Sequence, residues 1–268
     1  MRTIKKVASH IFIDGFGGMT QGLFATLIIG TMIQQIGLLI GGSTGNVIYL
    51  LGKAAAALTS AGIGVGVAVK YGESPLVTVS AAVAAMVGGY AGKITGGTFF
   101  VDGNAVLAGP GEPLGAFIAA FAGITCGHLV SGKTKVDIIV TPVITIGAGS
   151  VVGLLVGPPI SQMMTGLGSI INWATEQRPF IMGIVVSVVM GMVLTLPISS
   201  AALGIILNLS GLAAGAATIG CCCNMVGFAV ASYRENKFGG LVAQGLGTSM
   251  LQVPNIMRHP LILSLIHI

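Results

Sequence analysis

Charge is what this sequence has least of. Only 7% of its 268 residues are Asp, Glu, Lys or Arg, against roughly 25% in a soluble globular domain. So little charge leaves broad apolar patches exposed, and such patches associate in water. A soluble domain is excluded, and the solvent for most of this surface is lipid. Aromatic residues are also few, at 6%, so packing does not rest on large rings. The apolar runs do not alternate with polar residues, which excludes a transmembrane β-barrel. The glycines keep no period of three, which excludes collagen.

Other absences narrow the chemistry. The four cysteines, Cys126 and Cys221 to Cys223, lie in apolar runs, with no histidine at metal-ligand spacing. They read as small packing residues, and neither a metal nor any other cofactor is expected. Gly109-Pro110-Gly111 lacks the strand before it and the Lys-Ser/Thr after it that a phosphate loop needs. No Ser/His/Asp constellation can be assembled, so the chain by itself carries no catalytic residues. Met1 to His10 is basic, but the apolar stretch beyond has no small-residue cleavage site of a signal peptide.

What is present is apolar and small. Hydrophobic residues reach 54%, glycines number 43, and mean hydropathy is +0.98. Small residues let membrane helices approach closely; Gly62-x-Gly64-x-Gly66, inside an apolar run, reads as such a packing face. A span needs about 20 mostly apolar residues. The candidates are Phe16–Ile40, Val47–Val69, Pro75–Gly92, Leu114–Ser131, Ile138–Gly157, Phe180–Pro197 and Leu212–Ser232, with a further span beginning near Gly239. Pro159–Ala174 and Ser199–Ser210 are shorter and read as re-entrant or tilted segments. The expected fold is therefore all-α, a polytopic transmembrane helical bundle with re-entrant or broken helices. Pro113–Gly147 and Ser210–Gly247 share a loose pattern of apolar run, charged turn and apolar run.

The net charge of +5 comes from single basic residues between apolar runs, a pattern that orients spans and does not form a nucleic-acid patch. Arg2, Lys5 and Lys6 place the N-terminus in the cytoplasm, and Lys70, Lys133, Lys135, Arg234 and Lys237 fall on the same side when Pro159–Ala174 crosses. The chain is expected to form one membrane-embedded domain over residues 1–262, incomplete at its C-terminal end. Leu263-Ser264-Leu265-Ile266-His267-Ile268 matches the translation of a transposon-end sequencing adapter and is read as non-native.

Polar groups inside apolar sequence are the candidates for function, because lipid makes them costly. Glu112, with Asp102 and Asn104 in Thr98–Pro113, either offers a carboxylate to a polyhydroxylated ligand or belongs to a solvated extracellular loop. Trp173 and Glu176 combine a ring to stack on a sugar with a carboxylate for its hydroxyls; the alternative is an interfacial turn. Ser199 and Ser200 follow Pro197, which frees backbone groups where a helix breaks; a simple kink is the alternative. Asn255, with Gln252 and Pro254 before it, is placed on a polar path. His128 and Lys53 read as a helix–helix hydrogen bond or as snorkelling side chains.

Several motifs resemble one family. Lys135-Val136-Asp137-Ile138-Ile139-Val140-Thr141-Pro142, Val156-Gly157-Pro158, Leu194-Thr195-Leu196-Pro197-Ile198-Ser199-Ser200-Ala201-Ala202 and Gly245-Leu246-Gly247-Thr248-Ser249-Met250-Leu251-Gln252-Val253-Pro254-Asn255 are similar to stand-alone enzyme IIC-like subunits of the bacterial phosphotransferase system. The resemblance extends from about Asp14 to Ile262. It implies a multi-pass sugar permease of the bacterial cytoplasmic membrane, partnered by soluble enzyme IIB and IIA subunits and forming a homodimer. Translocation by alternating access is expected, with the solute occluded by segments broken at Pro142, Pro158 and Pro197. The rival classes are an ion-coupled transporter or channel for a small non-sugar solute, and a membrane regulatory or scaffold protein.

Overall fold

A computed structural model describes residues 14–107, 109–195, 209, 211–247, 249–252, 255, 256, 259, 261 and 262. The chain divides into two compact units, residues 1–161 and 162–268. Residues 263–268, Pro197, Ser199 and Ser200 lie outside the described residues, as does Ser199–Ser210 apart from Leu209.

The first unit opens with helix α1 (Phe16–Leu23), a π-helical turn (Phe24–Ile28) and α2 (Ile29–Ile40), together one apolar run of 25 residues. After Gly41, α3 (Gly42–Ala57) and α4 (Thr59–Lys70) run back along it, bent by 53° at Leu58. Glycine sets how closely this hairpin closes. A methyl group on Gly18 would lie 2.6 Å from the Gly66 carbonyl oxygen, and one on Gly37 would lie 2.7 Å from that of Gly45. Gly22 meets the Gly62 carbonyl, and Gly30 meets that of Gly52 at 2.8 Å. Gly62 and Gly66 thus face α1, while Gly64 faces Ala81 of the next helix, α5 (Pro75–Gly89). The alternating glycines are the packing face expected of them, and each side of α4 receives a different neighbour.

Between α5 and α7 (Pro113–Val130) lie the short helix α6 (Ala91–Thr95) and a two-stranded hairpin, β1 (Phe100–Val101) and β2 (Asn104–Ala105). Asp102 and Gly103 turn that hairpin with positive φ angles, the Asp-Gly signature of a tight reversal. Helices α1, α4, α5 and α7 enclose a core of Met19, Leu23, Ile63, Val67, Val77, Ala81, Phe117 and Ile124. At the end of α7, His128 lies 3.0 Å from Glu73 in the loop between α4 and α5, a loop partner and not the helix–helix bond that was one of its two expected roles; Lys53 is exposed.

Helix α8 (Asp137–Gln177) holds Pro142, Pro158 and Pro159 in its interior. Its start is fixed by Asp137, whose Oδ1 accepts from the Gly132 N–H at 2.9 Å and the Thr141 hydroxyl at 2.7 Å. The expected breaks at Pro142 and Pro158 are therefore not present. Each proline removes one backbone donor, but the helix carries on past the lost bonds. Pro159–Ala174, expected as a separate tilted segment, is the continuation of the same helix. Ile138, Ile139, Val143, Val151 and Leu155 are exposed along α8, as suits a surface against lipid.

The second unit pairs α9 (Pro179–Thr195) with α10 (Gly211–Ala231) around Val186, Met190 and Ala217. Gly220 lies against the backbone of Ser187, and the Cys221 thiol donates to the Met190 carbonyl at 3.8 Å. The four cysteines form no disulfide among the described residues; Cys126 and Cys221 are half-buried, as packing residues are, whereas Cys222 and Cys223 are exposed. Beyond α10 the chain breaks up: α11 (Tyr233–Val242) is interrupted at Lys237, a π-helix covers Ala243–Gly247, and a 3-10 turn covers Ser249–Gln252. Of the span expected to begin near Gly239, the described residues show the end of α11, this π-helix and this 3-10 turn, with the polar Gln244 and Gln252 among them. By length and apolar composition, four described helices can cross a membrane, or five with the bent α3–α4 pair. The fold is an all-α polytopic bundle.

Candidate functional site

In the first unit, polar groups converge where α3 breaks into α4. Leu58 leaves helical geometry there, freeing the Ala57 carbonyl next to the buried hydroxyls of Thr59 and Ser60. The segment before α7 folds onto this break. The Ser60 hydroxyl donates to the Pro110 carbonyl at 3.0 Å, and the Glu112 N–H donates to the Gly89 carbonyl at 2.7 Å. Tyr90, 1% exposed, sends its hydroxyl to the Gly109 carbonyl, with the Ala57 carbonyl at 3.3 Å. Phe99 packs on the other side of the Tyr90 ring at 5.3 Å, and the Lys93 ammonium lies 5.4 Å from its centroid. Tyr90 therefore pins both ends of the hairpin segment. Tyr90→Phe is expected to cost about 0.5–1.5 kcal/mol, since the Gly109 carbonyl loses its donor. The check is limited proteolysis between Lys93 and Glu112, which should become faster.

Glu112 is the end point of this arrangement. It precedes Pro113, and its Oε1 accepts from the Leu114 N–H at 3.3 Å, capping α7. Its side chain is 8% exposed, yet its Oε2 is buried and has no hydrogen-bond partner among the described residues. Burial raises its pKa above the ordinary carboxylate range, opposed by the Leu114 N–H. A capping role uses one oxygen; the second is left to bind something else. Asp102 and Asn104 sit on the exposed hairpin tip. The two readings of Thr98–Pro113 thus apply to different residues: a solvated tip and a buried carboxyl.

The other candidates belong to the second unit. Trp173 and Glu176, three residues apart near the end of α8, are both exposed, Trp173 by 64%. Asn255 is exposed, and its Nδ2 donates to Gln252 Oε1 at 2.8 Å. That bond ends a relay, because Gln252 donates to Gln244 at 3.0 Å and Gln244 to the Ser232 hydroxyl at 2.9 Å. Gln244 and Gln252 are buried. Sequence reading missed Gln244, as well as Ser60 and Tyr90; an amide in an apolar run was the available signal for Gln244, and nothing local marked the other two.

A groove of about 560 Å³ between α9 and α10 is lined by residues such as Phe180, Ile184, Leu212 and Ile219, with Ser187 as its polar side chain. Walls this apolar suit acyl chains, not hydroxyl-rich solutes. No cluster of three metal-ligating side chains occurs among the described residues.

No curated protein and no solved structure matches this chain. The sequence profile of the family described as "Phosphotransferase system, EIIC" matches residues 13–267. That match covers nearly the whole of a chain whose apolar helices are able to cross a bilayer, and the chain belongs to the phosphotransferase system EIIC family.

Proposed function

We propose that this chain binds a sugar and carries it across the bacterial cytoplasmic membrane for phosphorylation by soluble enzyme IIB and IIA partners. The observation that carries the reading is the buried, unpartnered Oε2 of Glu112 beside the break at Leu58. A carboxylate accepts hydrogen bonds from hydroxyl groups, and charge-assisted bonds of this kind are strong. The adjoining Ser60 and Tyr90 hold the Gly109-Pro110-Gly111 turn in place, so the carboxyl is positioned before a ligand arrives. Broken helices near the middle of a membrane protein supply substrate sites in other transporters. Trp173, Glu176, Ser199, Ser200 and Asn255 remain separately proposed sugar contacts. The N-terminus is proposed to be cytoplasmic, on the basic residues that flank the spans.

The test is uptake into inverted or right-side-out vesicles containing the full chain. Labelled hexoses and hexitols should accumulate as phosphate esters only when phosphoenolpyruvate and the soluble phosphotransfer proteins are supplied. Accumulation driven by a proton or sodium gradient, without phosphoenolpyruvate, would instead establish an ion-coupled carrier.

A further inference from the structure

The second unit contains an unexplained polar group of its own. Asn224 sits on α10 in a stripe of buried Ala213, Ala217, Gly220 and Phe228. It is 1% exposed, and neither its Nδ2 nor its Oδ1 has a hydrogen-bond partner among the described residues. An amide buried this way costs several kcal/mol in an apolar setting, about 1–3 in protein measurements, unless something satisfies it. Ser249, 0% exposed, is in the same condition at its Oγ.

The course of the chain carries Ser249 back along α10 toward Asn224. Beyond α11 the chain returns along α10: Gln244 bonds Ser232, and Gly245 lies against Ala229. From Gln244 to Gly245 the neighbour at the end of α10 moves back from Ser232 to Ala229, an antiparallel course. Extrapolated by one further turn, that course would bring Ser249 toward the level of Asn224. The 3-10 turn that carries Ser249 does pack against α10, and against α9 as well. Two buried polar side chains, one on α10 and one on the turn packed against it, are thus left with no bond to each other or to any described group.

The pattern of unmet bonds selects the ligand chemistry. A cation would use Asn224 Oδ1 and leave Nδ2 unsatisfied. A hydroxyl group both donates and accepts, so it meets the amide's two ends together, and no fixed charge among Asn224, Ser249, Gln244 and Gln252 favours an ion. We infer that Asn224 and Ser249 form a binding subsite for the hydroxyl groups of a neutral polyol, a hexose or a hexitol. The choice of sugars rests on the permease reading above; the existence of the subsite does not.

The experiment measures the thermal midpoint of the full chain in detergent against a panel of hexoses and hexitols, for wild type, Asn224→Leu and Ser249→Ala. Wild type should be stabilised by at least one panel member. Asn224→Leu should keep or raise the midpoint without sugar, because an orphaned amide is replaced by an apolar side chain of similar size. It should weaken binding of that sugar by about 10-fold or more, and Ser249→Ala by less, as expected for lost hydrogen bonds. If Asn224→Leu binds the sugar as wild type does, the two side chains hold only water and the inference is overturned, while phosphoenolpyruvate-driven uptake can still stand. If no panel member shifts wild type, the inference is overturned as well. Sugar binding lost in Asn224→Leu, with no phosphoenolpyruvate-dependent uptake by wild type, supports the subsite and removes the phosphotransfer reading.

Discussion

Glu112→Gln is expected to lower the affinity for the transported sugar by about 10- to 100-fold, from the loss of one hydrogen bond to a charged group worth about 1.5–3 kcal/mol. The substitution separates the two roles of this side chain. Gln keeps an oxygen to accept from the Leu114 N–H, so the cap on α7 and the midpoint of unfolding should change little. What it loses is an acceptor oxygen at the Oε2 position, now an NH₂ group that only donates. Uptake measured against sugar concentration should therefore show a raised KM in a protein that inserts and folds normally. Normal uptake by Glu112→Gln would leave Glu112 a helix cap and nothing more. The raised pKa adds a pH dependence. A buried acid with a raised folded-state value contributes most to stability below its unfolded pKa, and that contribution is lost as pH rises through the folded value. Glu112→Gln should remove the fall in stability that begins as pH rises above the ordinary carboxylate range.

Gly22→Val is expected to remove most of the folded protein. A side chain at Gly22 meets the Gly62 carbonyl and the Ile63 Cα, both backbone atoms that no rotamer change can move. Relief requires the α1 and α4 helices to separate, and the same separation would open contacts at Gly18–Gly66 on the adjacent turn. The cost is placed at about 3 kcal/mol, the upper end for overpacking. Gly147→Ala is the matched comparison. It lies inside α8 with nothing within 4 Å of its added methyl group, so the lower chain entropy of Ala should gain about 0.5–1 kcal/mol. Thermal unfolding in detergent, read by size-exclusion chromatography, should show opposite shifts for the two variants. A folded, wild-type-like Gly22→Val would mean that the α1–α4 approach is not as close as described.

Much of this architecture was legible in the sequence because it follows from one solvent. Residues too apolar and too poorly charged for water must be helical in lipid, where every backbone group needs an internal partner. Run length then fixed spans such as Phe16–Ile40 and Leu114–Ser131 to within a residue or two of the helices. Glycine spacing marked a packing face at Gly62–Gly66, and Glu112 stood out as a carboxylate in an apolar neighbourhood. Prolines misled, because their local preference to break a helix is weaker than the pressure to keep backbone bonds satisfied, and α8 runs through Pro142 and Pro158.

Composition and periodicity, then, determined the solvent, the secondary structure and the suspect polar residues, since each depends on neighbours along the chain. Only tertiary structure decided which polar groups lack a partner. Nothing in the sequence shows that one oxygen of Glu112, or Asn224, is left without the solvent or partner that other polar groups have. What sets them apart is the close packing around them: Ser60, Gly89 and Tyr90 fold the turn over the first, and Ala217, Gly220 and Phe228 share the buried face of the second. Those neighbours are far apart in sequence or hidden in apolar runs, and burial is a property of their three-dimensional arrangement.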